Sequence, residues 1–186
     1  MILKRGQCLI YRYDHEELWI EPWGPNGLRI RSTKGPEMPM EDWALLPAQP
    51  AEADIAITDE GATIRNGKIW AELSKAGKLT FYNQNNKVLL EEFTRNRREY
   101  KYTPGVRPKS FASALNIKSR EFKPILGGDF TLTARFESVP EERIYGMGQY
   151  QQPYLNLKGC QLELAHRNSQ ASVPFMVSSL GYGFLW

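Results

Sequence analysis

The sequence predicts an all-β chain folded as an antiparallel β-sandwich, and three observations carry that prediction. Short apolar or alternating runs recur between clusters of turn residues. Two early runs are joined through Asn26-Gly27, a pair suited to closing a hairpin. Helical periodicity is sustained nowhere. At 186 residues the chain is long enough to bury one core, so residues 1–186 read as a single β-sandwich domain of larger than usual size.

Residues 9–13 and 17–23 alternate or run apolar, Gly24-Pro25-Asn26-Gly27 marks a turn, and 28–31 resumes a clean period of two. Residues 41–46 could form one helical turn, ended by Pro47 and Pro50. Strands follow at 53–57, 62–65, 68–73, 78–83 and 87–93, separated by Asp59-Glu60-Gly61, Asn66-Gly67, Lys75-Ala76-Gly77 and 83–86. The charged, proline-bearing stretch 94–109 reads as a long loop or irregular edge. A strand at 113–122 then leads through Gly127-Gly128-Asp129 to the almost ideal alternation of 130–136.

Composition excludes more than it assigns. A hydrophobic content of 41% rules out disorder, and a net charge of +3 is too mild to imply a nucleic-acid partner. The one basic cluster, Arg95, Arg97, Arg98 and Lys101, is interrupted by Glu99 and reads as a solvated loop or strand face. Cys8 and Cys160 lack metal-ligand spacing and read as reduced, partly buried thiols, Cys160 within a strand region. Residues 1–7 show no leader pattern and no stretch approaches bilayer length, so a cytoplasmic protein without a membrane partner is expected.

Candidate chemistry concentrates in the last quarter. Gln149, Gln151, Gln152, Asn156, His166, Arg167, Asn168 and Gln170 lie among aromatics in a short span, as binding of a hydroxylated ligand requires. Two histidines give no zinc spacing, and no metal or cofactor is expected. The adjacent pairs Glu16-Glu17, Glu91-Glu92 and Glu141-Glu142 point to opposite strand faces and read as surface charge rather than an acid/base couple. Gly146-Met147-Gly148 lacks the third glycine of a dinucleotide loop and reads as a backbone bend. Arg167-Asn168 is the sharpest binding pair; its alternative is a turn capped by Asn168 and Ser169 side chains.

Residues 144–149, 155–159, 163–168, 173–179 and 181–186 carry a resemblance to the N-terminal domain of glycoside hydrolase family 31, the α-glucosidases and α-xylosidases. The run from Trp23-Gly24 to Arg29-Ile30-Arg31 ahead of Trp43 is similar to the opening hairpin of that domain. The resemblance implies a sandwich of the galactose-mutarotase-like (supersandwich) type, packed against a (β/α)₈ barrel that follows in the same polypeptide. It also implies that both catalytic aspartates sit on that barrel, so this chain has no catalytic residue and is inactive alone. Its expected partners are the barrel and an α-linked sugar at a shared pocket. The implied substrate-binding residues are Arg167, Asn168 and Gln170, with Gln149 and Tyr150 supporting the loop. Asn168 stands where eukaryotic α-glucosidases often carry an aspartate. A stand-alone carbohydrate-binding module is the alternative, and a mutarotase-like enzyme a third reading.

Overall fold

In the computed structural model, residues 1–42, 45–47, 50–95 and 115–186 are described. The chain divides into two compact units, Met1–Glu137 and Ser138–Trp186. Among the described residues all regular structure is β, and every sheet is antiparallel.

In the first unit, β1 (Ile2–Arg5), β2 (Cys8–Tyr13), β3 (Glu16–Trp23) and β4 (Gly27–Thr33) form one sheet in sequence order. A second meander holds β5 (Asp54–Thr58), β6 (Gly61–Asn66), β7 (Ile69–Ser74), β8 (Leu79–Asn83) and β9 (Val88–Glu91). Period-two alternation aims Leu9, Tyr11, Leu18 and Ile20 of the first sheet at Ile64, Ala71, Leu73 and Leu79 of the second, and these residues form one buried cluster. Each fully buried Leu or Ile there contributes roughly 1.5–3 kcal/mol. The opposite face of the second sheet stays polar: Arg65, Trp70 and Tyr82 are cross-strand neighbours, with Trp70 and Tyr82 stacked at 4.0 Å.

The two Asn-Gly turns interlock. Asn66, buried in the β6–β7 turn, donates to the carbonyls of Gly24 (2.8 Å) and Gly27 (2.7 Å). Asn26 in turn accepts from the Lys68 amide at 2.8 Å. Gly67 sits at φ 57°, and a Cβ there would lie 2.2 Å from the Pro25 carbonyl, so glycine is demanded.

A hairpin of β10 (Arg120–Pro124) and β11 (Phe130–Ala134) completes the unit, joined to the second meander through the Glu92–Phe136 bridge. The strand expected at 113–122 begins only at Arg120. Before it, Ile117 exchanges both backbone hydrogen bonds with Arg95, outside any ladder. Residues 113 and 114, most of the expected 94–109 loop with Arg97, Arg98 and Lys101, and Trp43 and Ala44 of the expected helical turn lie outside the described residues.

In the second unit, β12 (Ile144–Gln149), β13 (Ala171–Ser178) and β14 (Tyr182–Leu185) form a three-stranded sheet in that order. Residues 150–170 make a long excursion between β12 and β13. Cys160 lies in this excursion, exposed and not in a strand, because Gly159 at φ 80° turns the chain and the Cys160 amide donates back to Leu157. Cys8 is buried, and burial pushes its thiol up to about 12.

Candidate sugar-facing turn

The excursion is tied down at its start by backbone geometry. Gly146, Met147 and Gly148 all have positive φ (96°, 67° and 108°), and the β12–β13 register shifts between the two glycines. A Cβ at Gly148 would stand 2.1 Å from the Ala171 carbonyl oxygen, and one at Gly146 2.7 Å from that of Phe175. The two glycines therefore let β12 bend against β13 where no other residue fits. Past the bend, Gln149 pairs with Ala171 in the ladder, and the Tyr150 hydroxyl lies 2.6 Å from that of Ser172.

Asn156, one of the polar residues of this span, works structurally. Its Oδ1 accepts from the amides of Ile144 (3.0 Å) and Lys158 (3.2 Å), while the buried Leu157 donates its amide to the Ile144 carbonyl at 2.7 Å.

The excursion ends in a tight turn. Arg167 and Gln170 form an antiparallel bridge, and the Gln170 amide donates to the Arg167 carbonyl at 3.0 Å. Asn168 and Ser169 occupy the two corners, with Ser169 in the left-handed region at φ 64°. A non-glycine residue held there is mildly strained, a feature that concentrates at functional sites. The Arg167 guanidinium forms an exposed ion pair with Glu163, and the preceding His166 accepts the Ser172 amide at Nδ1, 3.3 Å away. That acceptor role places the proton of the neutral ring on Nε2.

Among the described residues, the side chains of Asn168 and Gln170 make no hydrogen bond. The turn is closed by backbone, not by the Asn168 and Ser169 side-chain caps that were the alternative. It therefore presents at one point a carboxamide at an exposed corner, a half-buried carboxamide and a guanidinium. Such groups bind hydroxyls and transfer no protons at neutral pH.

A carboxylate beneath this sheet was missed by sequence reasoning. Glu141 is exposed, but Glu142 is buried and accepts from Lys158 Nζ (2.7 Å), Ser178 Oγ (2.6 Å) and Tyr182 Oη (2.7 Å). It joins the excursion to β13 and β14. Setting the pair aside as surface charge is thus corrected for Glu142: the two residues lie in the turn ahead of β12, where the Glu142 amide donates to the Val139 carbonyl, and only Glu142 is turned inward. Burial works against the ionised form, yet the hydrogen bonds from Lys158, Ser178 and Tyr182 outweigh it and hold the carboxyl below its ordinary value of 4.5. A depressed folded-state value contributes stability that is present above 4.5 and lost as pH falls through the folded value. Glu142→Gln should remove that part of the acid sensitivity. Following β12–β14 amide resonances during acid titration, with and without the substitution, checks it.

The same correction applies twice in the first unit. Glu92 is buried and Glu16 nearly so, and both converge on the buried Arg120: Glu16 Oε1 lies 2.5 Å from Nε, and Glu92 pairs with Nη1. Arg120 also donates to the Gly77 carbonyl at 2.9 Å. Burial alone would lower its pKa; the two facing carboxylates more than offset that and raise it. Two carboxylates sharing one guanidinium serve structure: Arg120 stands between Glu16 and Glu92 and ties them together. Among the described residues no group of three or more His, Cys, Asp or Glu is placed to hold a metal.

No protein-family model matches the chain. Over its whole length it is 49% identical to the uncharacterized family 31 glucosidase ORF2 of Pseudescherichia vulneris, covering 35% of that protein. Along its whole length the chain is similar to the N-terminal part of glycoside hydrolase family 31 proteins. The segment also superposes in full, with a TM-score of 0.91 and 52% identity, on a family 31 α-xylosidase from a soil metagenome solved with xylose, making up 28% of that chain. Alpha-xylosidase A of Aspergillus niger is 27% identical over 94% of the segment, which spans 24% of its length. The segment thus spans about a third or less of the relatives it matches.

Proposed function

We propose that this segment serves a retaining α-glycosidase of the α-xyloside or α-glucoside class by placing the Arg167–Gln170 turn at the rim of a sugar pocket whose catalytic aspartates lie on a downstream barrel. One observation carries the reading. The segment matches an α-xylosidase along its full length, yet its buried carboxylates are consumed by Arg120 and by the Glu142 network, while Asn168 and Gln170 stay free of partners among the described residues. The segment contributes binding, and catalysis comes from elsewhere in the polypeptide. The segment's share of its relatives favours this over a stand-alone module.

In the polypeptide that includes the C-terminal part its relatives have, Asn168→Ala is expected to lower kcat/KM for aryl α-xyloside or α-glucoside about 5- to 10-fold, the worth of one hydrogen bond to a sugar hydroxyl. Thermal stability should be unchanged, because the turn is closed by backbone. Wild-type kcat/KM on both substrates would remove the turn from the pocket.

A further inference from the structure

We propose that the outer face of the β5–β9 meander holds a binding site for a neutral saccharide, built around Trp70. The inference stands on the first unit alone and does not depend on the Arg167–Gln170 turn. One row of cross-strand partners crosses this face: Asp54 on β5, Arg65 on β6, Trp70 on β7 and Tyr82 on β8. With Thr63 and Asn86 they line a depression of about 460 Å³, within the size range of small-ligand sites. Trp70 stacks on Tyr82. Arg65, on the strand flanking Trp70 on its other side, sets its guanidinium over the indole, 5.3 Å from the ring centroid.

Two features call for a ligand here. The indole Nε1 of Trp70 is, among the described residues, the one buried side-chain nitrogen or oxygen with no hydrogen-bond partner. An unmet buried donor is costly and rare. Around it, the side chains of Asp54, Thr63 and Asn86 form no hydrogen bond among the described residues, and Arg65 makes no ion pair although Asp54 faces it in the ladder. Tyr82 is already engaged, donating its hydroxyl to Glu72 at 3.2 Å. An aromatic face, an N–H, a hydroxyl, a carboxamide and a carboxylate in one depression suit a pyranose ring. Its C–H face stacks on the aromatic, and its hydroxyls both donate and accept. Charge decides against an anion: Asp54 and Arg65 offset each other, and Glu72 adds a negative charge beside Tyr82. Entry displaces the exposed Arg65 side chain, whose cation–π contact is of the weak, solvated kind. That movement bares one indole face, opens a way to the N–H and frees the guanidinium for a sugar hydroxyl.

The test is calorimetric titration of the 186-residue chain with maltohexaose, xylohexaose and inorganic phosphate. The Trp70 indole N–H resonance, identified by its loss in Trp70→Phe, is followed alongside. Saturable binding of at least one hexasaccharide is expected, with a Kd of ~1 mM and a shift of that resonance. The hexasaccharide bound more tightly tells glucose from xylose chemistry. Trp70→Phe keeps a ring but loses the N–H, and should weaken binding about 5- to 10-fold. Asp54→Ala, at an exposed side chain, should weaken it about 5-fold with Tm unchanged, which keeps the test decisive where Trp70→Phe folds poorly. No saturable binding of either hexasaccharide overturns the proposal. Binding that neither substitution weakens also overturns it, by placing the sugar elsewhere. An equal shift of the Trp70 resonance with phosphate overturns it too, by making the depression an anion site.

Discussion

Arg120→Ala should destabilise the first unit by about 3–5 kcal/mol, seen as a fall in Tm of ~10 °C or more. The reason is the company Arg120 keeps. Its guanidinium holds Glu92 from the end of the β5–β9 meander, Glu16 from β3 and the Gly77 carbonyl, so one side chain of the β10–β11 hairpin fastens that hairpin to both sheets. Deleting it leaves two carboxylates out of water with no counter-charge, and that penalty exceeds the worth of the bonds themselves. Arg120→Lys keeps the charge but loses the fork, and should fall between alanine and wild type. Replacing Arg120, Glu16 and Glu92 together by apolar residues of similar volume should recover much of the loss. Denaturant unfolding of all four proteins checks the set; a loss below about 1 kcal/mol for Arg120→Ala would mean the triad is solvated.

Gly148→Ala is expected to cost about 3 kcal/mol or more and to disturb the candidate turn from a distance. At φ 108° an L side chain is strained whatever the space, and the space is absent, since the new Cβ would stand 2.1 Å from the Ala171 carbonyl oxygen. Relief requires β12 and β13 to separate where Gln149 pairs with Ala171 and where Ser172 meets His166 and Tyr150. Both ends of the 150–170 excursion would shift. The readout is a lowered Tm together with altered amide resonances at 166–172. Wild-type values for both would show that the bend is easily relaxed.

Much of the sandwich was legible because its signals are local. Asn26-Gly27 and Asn66-Gly67 announce their hairpins within two residues, and period-two alternation fixes which side of β3 and β6–β8 faces the core. β1 was missed because Ile2–Arg5 has no alternation of its own and exists by pairing with β2. The buried carboxylates were illegible for a different reason. Arg120 lies 28 residues from Glu92 and 104 from Glu16, so nothing near either glutamate betrays its partner. Glu142 depends likewise on Ser178 and Tyr182, 36 and 40 residues on. At the candidate turn the residue types suggested binding, but only the structure distinguishes a turn closed by backbone from one capped by Asn168 itself.

The most direct measurement is hydrolysis of aryl α-xyloside and aryl α-glucoside by the 186-residue chain, shown by circular dichroism to be folded as β, beside the polypeptide that adds the C-terminal region of its relatives. The expected result is turnover by the longer protein and none by the 186-residue chain, whose buried carboxylates are already paired. Turnover by the 186-residue chain, abolished by changing one of its own residues, would contradict a purely binding role and place a catalytic pair within it.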